Sequence, residues 1–118
     1  MVRRSSCKAP FGLTSWHSNN LTSPFQPSPQ LNSNSYCNTI YNNILSDSRH
    51  GIWLSASNNV ISGNSINNNL YGIIAISQSV SNNTISNNTI TNSGYYGILL
   101  GTASNSRIYH NSFINNTQ

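Results

Sequence analysis

The order of apolar and polar positions repeats from residue 38 to the end of the chain. Asn59–Ile76 reads NVISGNSINNNLYGIIAI, with the skeleton Asn-x-Ile-x-x-Asn-x-Ile followed by a gap and Gly-Ile. Upstream, residues 38–54 give NTIYNNILSDSRHGIWL, and downstream, residues 83–100 give NTISNNTITNSGYYGILL. A fourth copy begins SRIYHNSFINN at Ser106, and Gln118 falls inside it. Ile40, Ile61, Ile85 and Ile108 therefore recur at spacings of 21, 24 and 23 residues. Each is followed after three residues by Asn43, Asn64, Asn88 or Asn111, and after five by Leu45, Ile66, Ile90 or Phe113. Gly51, Gly72 and Gly97 then introduce Ile52, Ile73 and Ile98, with Leu54, Ala75 and Leu100 two positions on. A fixed period of this length marks a repeat architecture.

Inside one copy the apolar spacing is mostly two, as in strands, and never a sustained 3.6. Each copy predicts three short strands joined by turns. Such a trio cannot bury its apolar face alone, but stacked on its neighbours at about 4.8 Å it can. The expected fold is all-β: a right-handed parallel β-helix of about three and a half rungs, each 21–24 residues long. Asn43, Asn64, Asn88 and Asn111 are the expected structural ladder, each amide bonding the one above and below. Asn also tolerates left-handed backbone at turns. Gly51, Gly72 and Gly97 are expected at bends that need positive φ or close packing.

This pattern resembles the parallel β-helix repeats of the NosD-like family, within a wider group found in carbohydrate-binding proteins and sugar hydrolases. The resemblance covers residues 37–118. It implies the fold, an extracellular, cell-surface or periplasmic location and, for the NosD type, a link to copper delivery for nitrous oxide reductase. Many chains with this repeat are Asn/Ser-rich surface proteins without a copper role.

Composition sharpens the picture. The chain has 118 residues, 36% hydrophobic but only 5% charged, against about 25% charged in ordinary globular domains. Amide ladders satisfy polarity without charge. The net charge is +4, but Arg3, Arg4 and Lys8 lie at the N-terminus, and no basic stripe with interleaved aromatics supports nucleic-acid binding. Residues 1–36 carry all four prolines and no Asn-x-Ile signature, and read as an irregular Pro/Ser-rich segment: a cap using Phe11, Leu13, Trp16, Leu21 and Phe25, a linker, or non-native sequence. No stretch approaches the roughly 20 apolar residues of a membrane span, and Met1 to Asn20 lacks a signal-peptide core. The chain therefore reads as a fragment of a larger protein, with uncapped ends prone to end-to-end self-association. Cys7 and Cys37 are the only cysteines. Pairing them would contribute about 3–4 kcal/mol on the loop-entropy model. With the N-terminal segment outside the repeat, two unpaired thiols are the expectation.

Chemistry is sparse. Glycoside hydrolysis needs two carboxylates, and the chain holds one, Asp47, in column with Asn68, Asn92 and Asn115. It is expected to stand in for a ladder asparagine, and no enzyme activity is expected. His17, His50, His110, Cys7, Cys37 and Met1 are scattered over the repeat, whereas copper sites gather such donors at one point. No metal and no cofactor is expected. A serine elbow is also missing. The sequons at Asn20, Asn82, Asn87 and Asn115 matter only as surface decoration of an exported chain.

One strip remains as a candidate ligand contact. Alternation turns Trp53 outward, in register with Ile74 and Leu99. His50, Tyr71 and Tyr96 precede the glycine column, also in register. Rings with polar tips suit sugar faces. The competing readings are that they brace the turn or are covered by residues 1–36 or a neighbouring domain. The sequence therefore predicts a non-catalytic module serving as scaffold or polysaccharide contact. The alternatives are a NosD-type periplasmic accessory domain and a remnant of a β-helical carbohydrate-active enzyme lacking its catalytic rungs.

Overall fold

The computed structural model describes residues 37–118 other than 79, together with three two-residue strands upstream. Those strands are β1 (Trp16–His17), β2 (Asn20–Leu21) and β3 (Gln30–Leu31). The first complete rung holds β4 (Thr39–Tyr41), β5 (Ile44–Ser46) and β6 (His50–Leu54). The second holds β7 (Val60–Ser62), β8 (Ser65–Asn67) and β9 (Tyr71–Ala75). The third holds β10 (Thr84–Ser86), β11 (Thr89–Thr91) and β12 (Tyr96–Leu100), and β13 (Arg107–Tyr109) and β14 (Ser112–Ile114) begin a fourth. No helix occurs among the described residues.

The chain visits three sheets in turn. The first sheet orders β1-β4-β7-β10-β13, the second β2-β5-β8-β11-β14 and the third β3-β6-β9-β12. All pairings are parallel, and the register is that of the sequence columns: Ile40 opposite Ile61, Ile61 opposite Ile85, Ile85 opposite Ile108. The molecule is a parallel β-helix. Strand pairing also runs upstream of residue 37, with Trp16 opposite Ile40, Leu21 opposite Leu45 and Leu31 opposite Leu54. The signal is present without the Asn-x-Ile signature: Trp16, Asn19 and Leu21 repeat the spacing of Ile40, Asn43 and Leu45. Phe11, Leu13 and Phe25 lie outside the described residues.

The core is a set of stacked aliphatic columns. Leu31, Ile40, Ile52, Leu54, Ile61, Ile66, Ile73, Ile85 and Ile90 are fully buried. Each such side chain contributes about 1.5–3 kcal/mol on leaving water. In the last rung Ile108 is 41% exposed and Phe113 51% exposed.

Each rung turns three corners, and asparagine does two different jobs there. The outer residue takes the left-handed conformation: Cys37, Asn58, Asn82 and Asn105 at one corner, Asn42, Gly63, Asn87 and His110 at the second, Asp47, Asn68, Asn92 and Asn115 at the third. Left-handed backbone costs about 1–2 kcal/mol for most side chains and is tolerated by Asn and Gly. Asp47 is therefore an exposed corner residue, not a ladder member, and its Oδ2 accepts from Ser46 Oγ at 2.7 Å. The expectation that it replaces a ladder asparagine is corrected by one residue.

The next residue at each corner points inward and builds the ladder. Asn43, Asn64, Asn88 and Asn111 form the predicted one, with Nδ2-to-Oδ1 bonds of 3.0, 2.9 and 3.0 Å. The same Oδ1 atoms accept the backbone N–H of the rung before: Asn43 N to Asn64 at 3.0 Å, Asn64 N to Asn88 at 2.9 Å. A second ladder joins Asn38, Asn59 and Asn83. A third corner alternates Ser48, Asn69, Ser93 and Asn116, where Ser48 N donates to Asn69 Oδ1 and Ser93 N to Asn116 Oδ1. Buried backbone donors that strands cannot reach are satisfied in this way.

The glycine column follows from this packing. Gly51, Gly72 and Gly97 lie within β6, β9 and β12, and none has positive φ; among the described glycines only Gly63 does. A Cβ on Gly72 would strike Ile90 Cγ2 at 2.7 Å, the Gly97 carbonyl and Ser93 Oγ. Of the two reasons expected for these glycines, close packing is the operative one.

Two substitutions test the ladders. Asn64→Ala strips the acceptor from Asn43 N and should cost about 2–4 kcal/mol, measured by urea unfolding. Ser93 Oγ is buried without a partner. Ser93→Asn completes the third corner as Asn69 and Asn116 do, and should stabilise by about 1 kcal/mol. Destabilisation by Ser93→Asn would show that the corner cannot admit the amide.

Candidate functional site

The outward residues at the start of the third sheet come together as the sequence predicts. His50 lies opposite Tyr71, and Tyr71 opposite Tyr96. Parallel register places equivalent residues about 4.8 Å apart, so aromatic side chains at one position must meet ring to ring. The His50 and Tyr71 rings are 5.5 Å apart at 29°, and the Tyr71 and Tyr96 rings 6.2 Å apart at 12°. Trp53, on the same strand as His50, lies edge-on to it at 4.7 Å, with Nε1 donating to Ser55 Oγ at 2.7 Å. Trp53, Ile74 and Leu99 share one register, and Ile74 between its two neighbours is only 4% exposed.

The strip also contains Tyr95, which spacing did not single out. Gly94 adds one residue to this corner compared with Asn69-Leu70-Tyr71. Tyr95 consequently aligns with Leu70, its N–H donating to the Leu70 carbonyl at 2.8 Å, and its ring lies 5.4 Å from Tyr71. The doubled tyrosine beside Gly94 was the available signal. Tyr71 thus has rings on both sides along the coil axis. Tyr95 is the most open of these rings, 53% exposed.

Titration in the strip centres on His50. Its pKa is lowered from 6.5, first by burial among the rings and second by the Arg49 guanidinium. Both causes favour the neutral imidazole over the charged one.

Metal-binding geometry is a separate question. Among the described residues no three of His, Cys, Asp and Glu converge. Cys37 is disulfide-bonded and so offers no thiolate; the expectation of a free thiol is corrected, and Cys7, the other cysteine of the sequence, lies outside the described residues. His50 belongs to the ring column at the start of β6, and His110 is an exposed left-handed corner residue between β13 and β14. Soft, convergent donors of the kind copper takes are not assembled among the described residues.

Stacked parallel sheets, left-handed corners and inward amide ladders define the chain as a parallel β-helix repeat protein. Residues 14–118 match the model of the family described as periplasmic copper-binding protein (NosD), and the chain belongs to that family. No individual curated protein and no solved structure matches it.

The lowered pKa of His50 makes stability depend on pH. Below 6.5 the unfolded chain takes up the imidazole proton more readily than the folded one, so stability is complete above 6.5 and falls as pH drops toward the folded value. Thermal midpoints at about pH 7.5 and 5.5 should differ, and His50→Gln should shrink that difference. An unchanged difference in the variant would assign the acid sensitivity elsewhere.

Proposed function

We propose that this chain is a non-catalytic β-helical scaffold of the cell envelope, with the aromatic column as a brace of its outer corner. The observation that carries this reading is the use of the rings. The rings of His50, Tyr71 and Tyr96 stack on one another, and Ile74, between Trp53 and Leu99 on the same sheet, is buried, which supports a bracing role rather than an open platform. The chemistry agrees. The one carboxylate in the sequence, Asp47, sits at a corner and cannot form the pair that glycoside cleavage needs. The disulfide at Cys37 suits an oxidising compartment, as the periplasmic family implies.

A NosD-type accessory role in copper-enzyme maturation is the second reading, favoured by the family match. It would act through protein contacts, since the described donors do not converge. In either role neighbouring rungs or domains are the natural partners. The last rung leaves Ile108, Phe113 and Ile114 exposed, an apolar surface of the sort that takes a partner. End-to-end association of the 118-residue chain is part of this proposal.

Tyr71→Ala should lower stability by about 1–3 kcal/mol through lost ring contacts and burial. Retention on an insoluble neutral polysaccharide such as cellulose, measured alongside for Tyr71→Ala and Trp53→Ala, should be as low as for the parent chain. Strong retention by the parent that either variant abolishes would replace bracing with glycan contact. Sedimentation velocity should show mass rising with concentration, and a concentration-independent monomer would remove end-to-end association. Asp47→Asn should change stability by less than about 0.5 kcal/mol, and polysaccharide cleavage lost in that variant would overturn the non-catalytic assignment.

A further inference from the structure

The corner between the third and first sheets carries a polar constellation that the scaffold does not use. A depression of about 380 Å³ is lined by Asn82, Asn83, Thr84, Asn105 and Arg107. It lies at the far end of β9 and β12 from the aromatic column. Asn82 and Asn105 are exposed left-handed corner residues on successive rungs, and Thr84 and Arg107 are the opposed first residues of β10 and β13. The ladder fixes its floor: Asn83 N donates to Ser106 Oγ at 3.3 Å, and Asn83 Nδ2 to the Ala56 carbonyl at 3.0 Å. Among the described residues, the side chains of Asn82, Thr84, Asn105 and Arg107 make no hydrogen bond or ion pair. The single carboxylate, Asp47, belongs to a different corner.

We propose that this corner binds a carboxylate-bearing sugar, a uronate-type unit of an acidic polysaccharide. The guanidinium offers two parallel donors to a carboxylate, a geometry that an ammonium cannot match. The two amides and the hydroxyl supply both donors and acceptors, as ring hydroxyls require. The volume accommodates one sugar unit. A net charge of +4 with one acidic residue draws anionic chains toward the molecule. One rung upstream the same positions hold Asn58 and Val60, so the constellation arises only between the last two rungs. This site stands independently of the scaffold reading and of the aromatic column.

Calorimetric titration with trigalacturonate, its fully methyl-esterified form and inorganic phosphate tests the assignment on the full chain. The acid trimer should bind and the neutral ester should not. Arg107→Ala should weaken the acid trimer by about tenfold or more, the loss of a charge-assisted bond. Arg107 is exposed on a strand edge, so the variant retains the core. Arg49→Ala removes the same charge outside the depression and should leave binding within about twofold, because an exposed charge that makes no direct contact is weakened by solvent and salt. Equal losses in the two variants would mean general attraction and overturn the site. So would equal binding of the ester, or failure of the parent chain to bind the acid trimer. Phosphate binding as tightly as the trimer would reduce the site to a bare anion contact and sink the sugar assignment.

Discussion

The corner is the constraint on which this structure depends. A β-helix buries three backbone turns per rung, and at each turn the strands cannot satisfy every peptide donor. Here a left-handed residue reverses the chain, and the next residue sends an amide inward. Its Oδ1 accepts the N–H of the preceding rung, while its Nδ2 donates back to a carbonyl of that rung, as Asn64 does to Ile40 and Asn88 to Ile61. Left unpaired, each of these groups would cost about 1–3 kcal/mol. The aliphatic columns supply the driving force, but the amides decide that it can be collected only in this register.

This division of labour explains a composition that is otherwise odd. Among the described residues, eight of the eleven left-handed residues other than glycine are asparagine, and the ladder positions are asparagine or serine. The Asn-Asn pairs at 42–43, 58–59, 68–69, 82–83, 87–88 and 115–116 are therefore corners written twice: outer residue, then inner. Charge is almost absent because the polar requirement is internal and neutral. It also follows that outward positions are free to vary, which is where Trp53, the tyrosines and Arg107 occur.

The outer surface shows how repetition shapes recognition. At a spacing of one rung, like residues must touch like. For aromatic rings this produces a column in which His50, Tyr71 and Tyr96 stack along the coil axis. For side chains of mixed type, such as Asn82, Thr84, Asn105 and Arg107, the same spacing gathers unlike groups at one place. The NosD family membership agrees with the fold and is consistent with an extracellular or periplasmic setting.

The sequence alone determined the architecture. Ile40, Ile61, Ile85 and Ile108 stood in one column, Asn43, Asn64, Asn88 and Asn111 in another, and both were correct because a stacked period leaves no freedom in register. It also placed His50, Tyr71 and Tyr96 side by side. It could not say which of two adjacent residues at a corner turns inward, since both are often asparagine, and so Asp47 was assigned to the ladder one residue out. It did not show that Trp16, Leu21 and Leu31 continue the sheets, because those positions keep the spacing but not the residue types. Only the tertiary structure decided these points, along with the reason for the glycine column, the ring-on-ring use of the aromatic strip and the gathering of Arg107 with the corner asparagines. Each depends on the direction of a side chain relative to the rung above or below, and that relation exists only once the rungs are stacked.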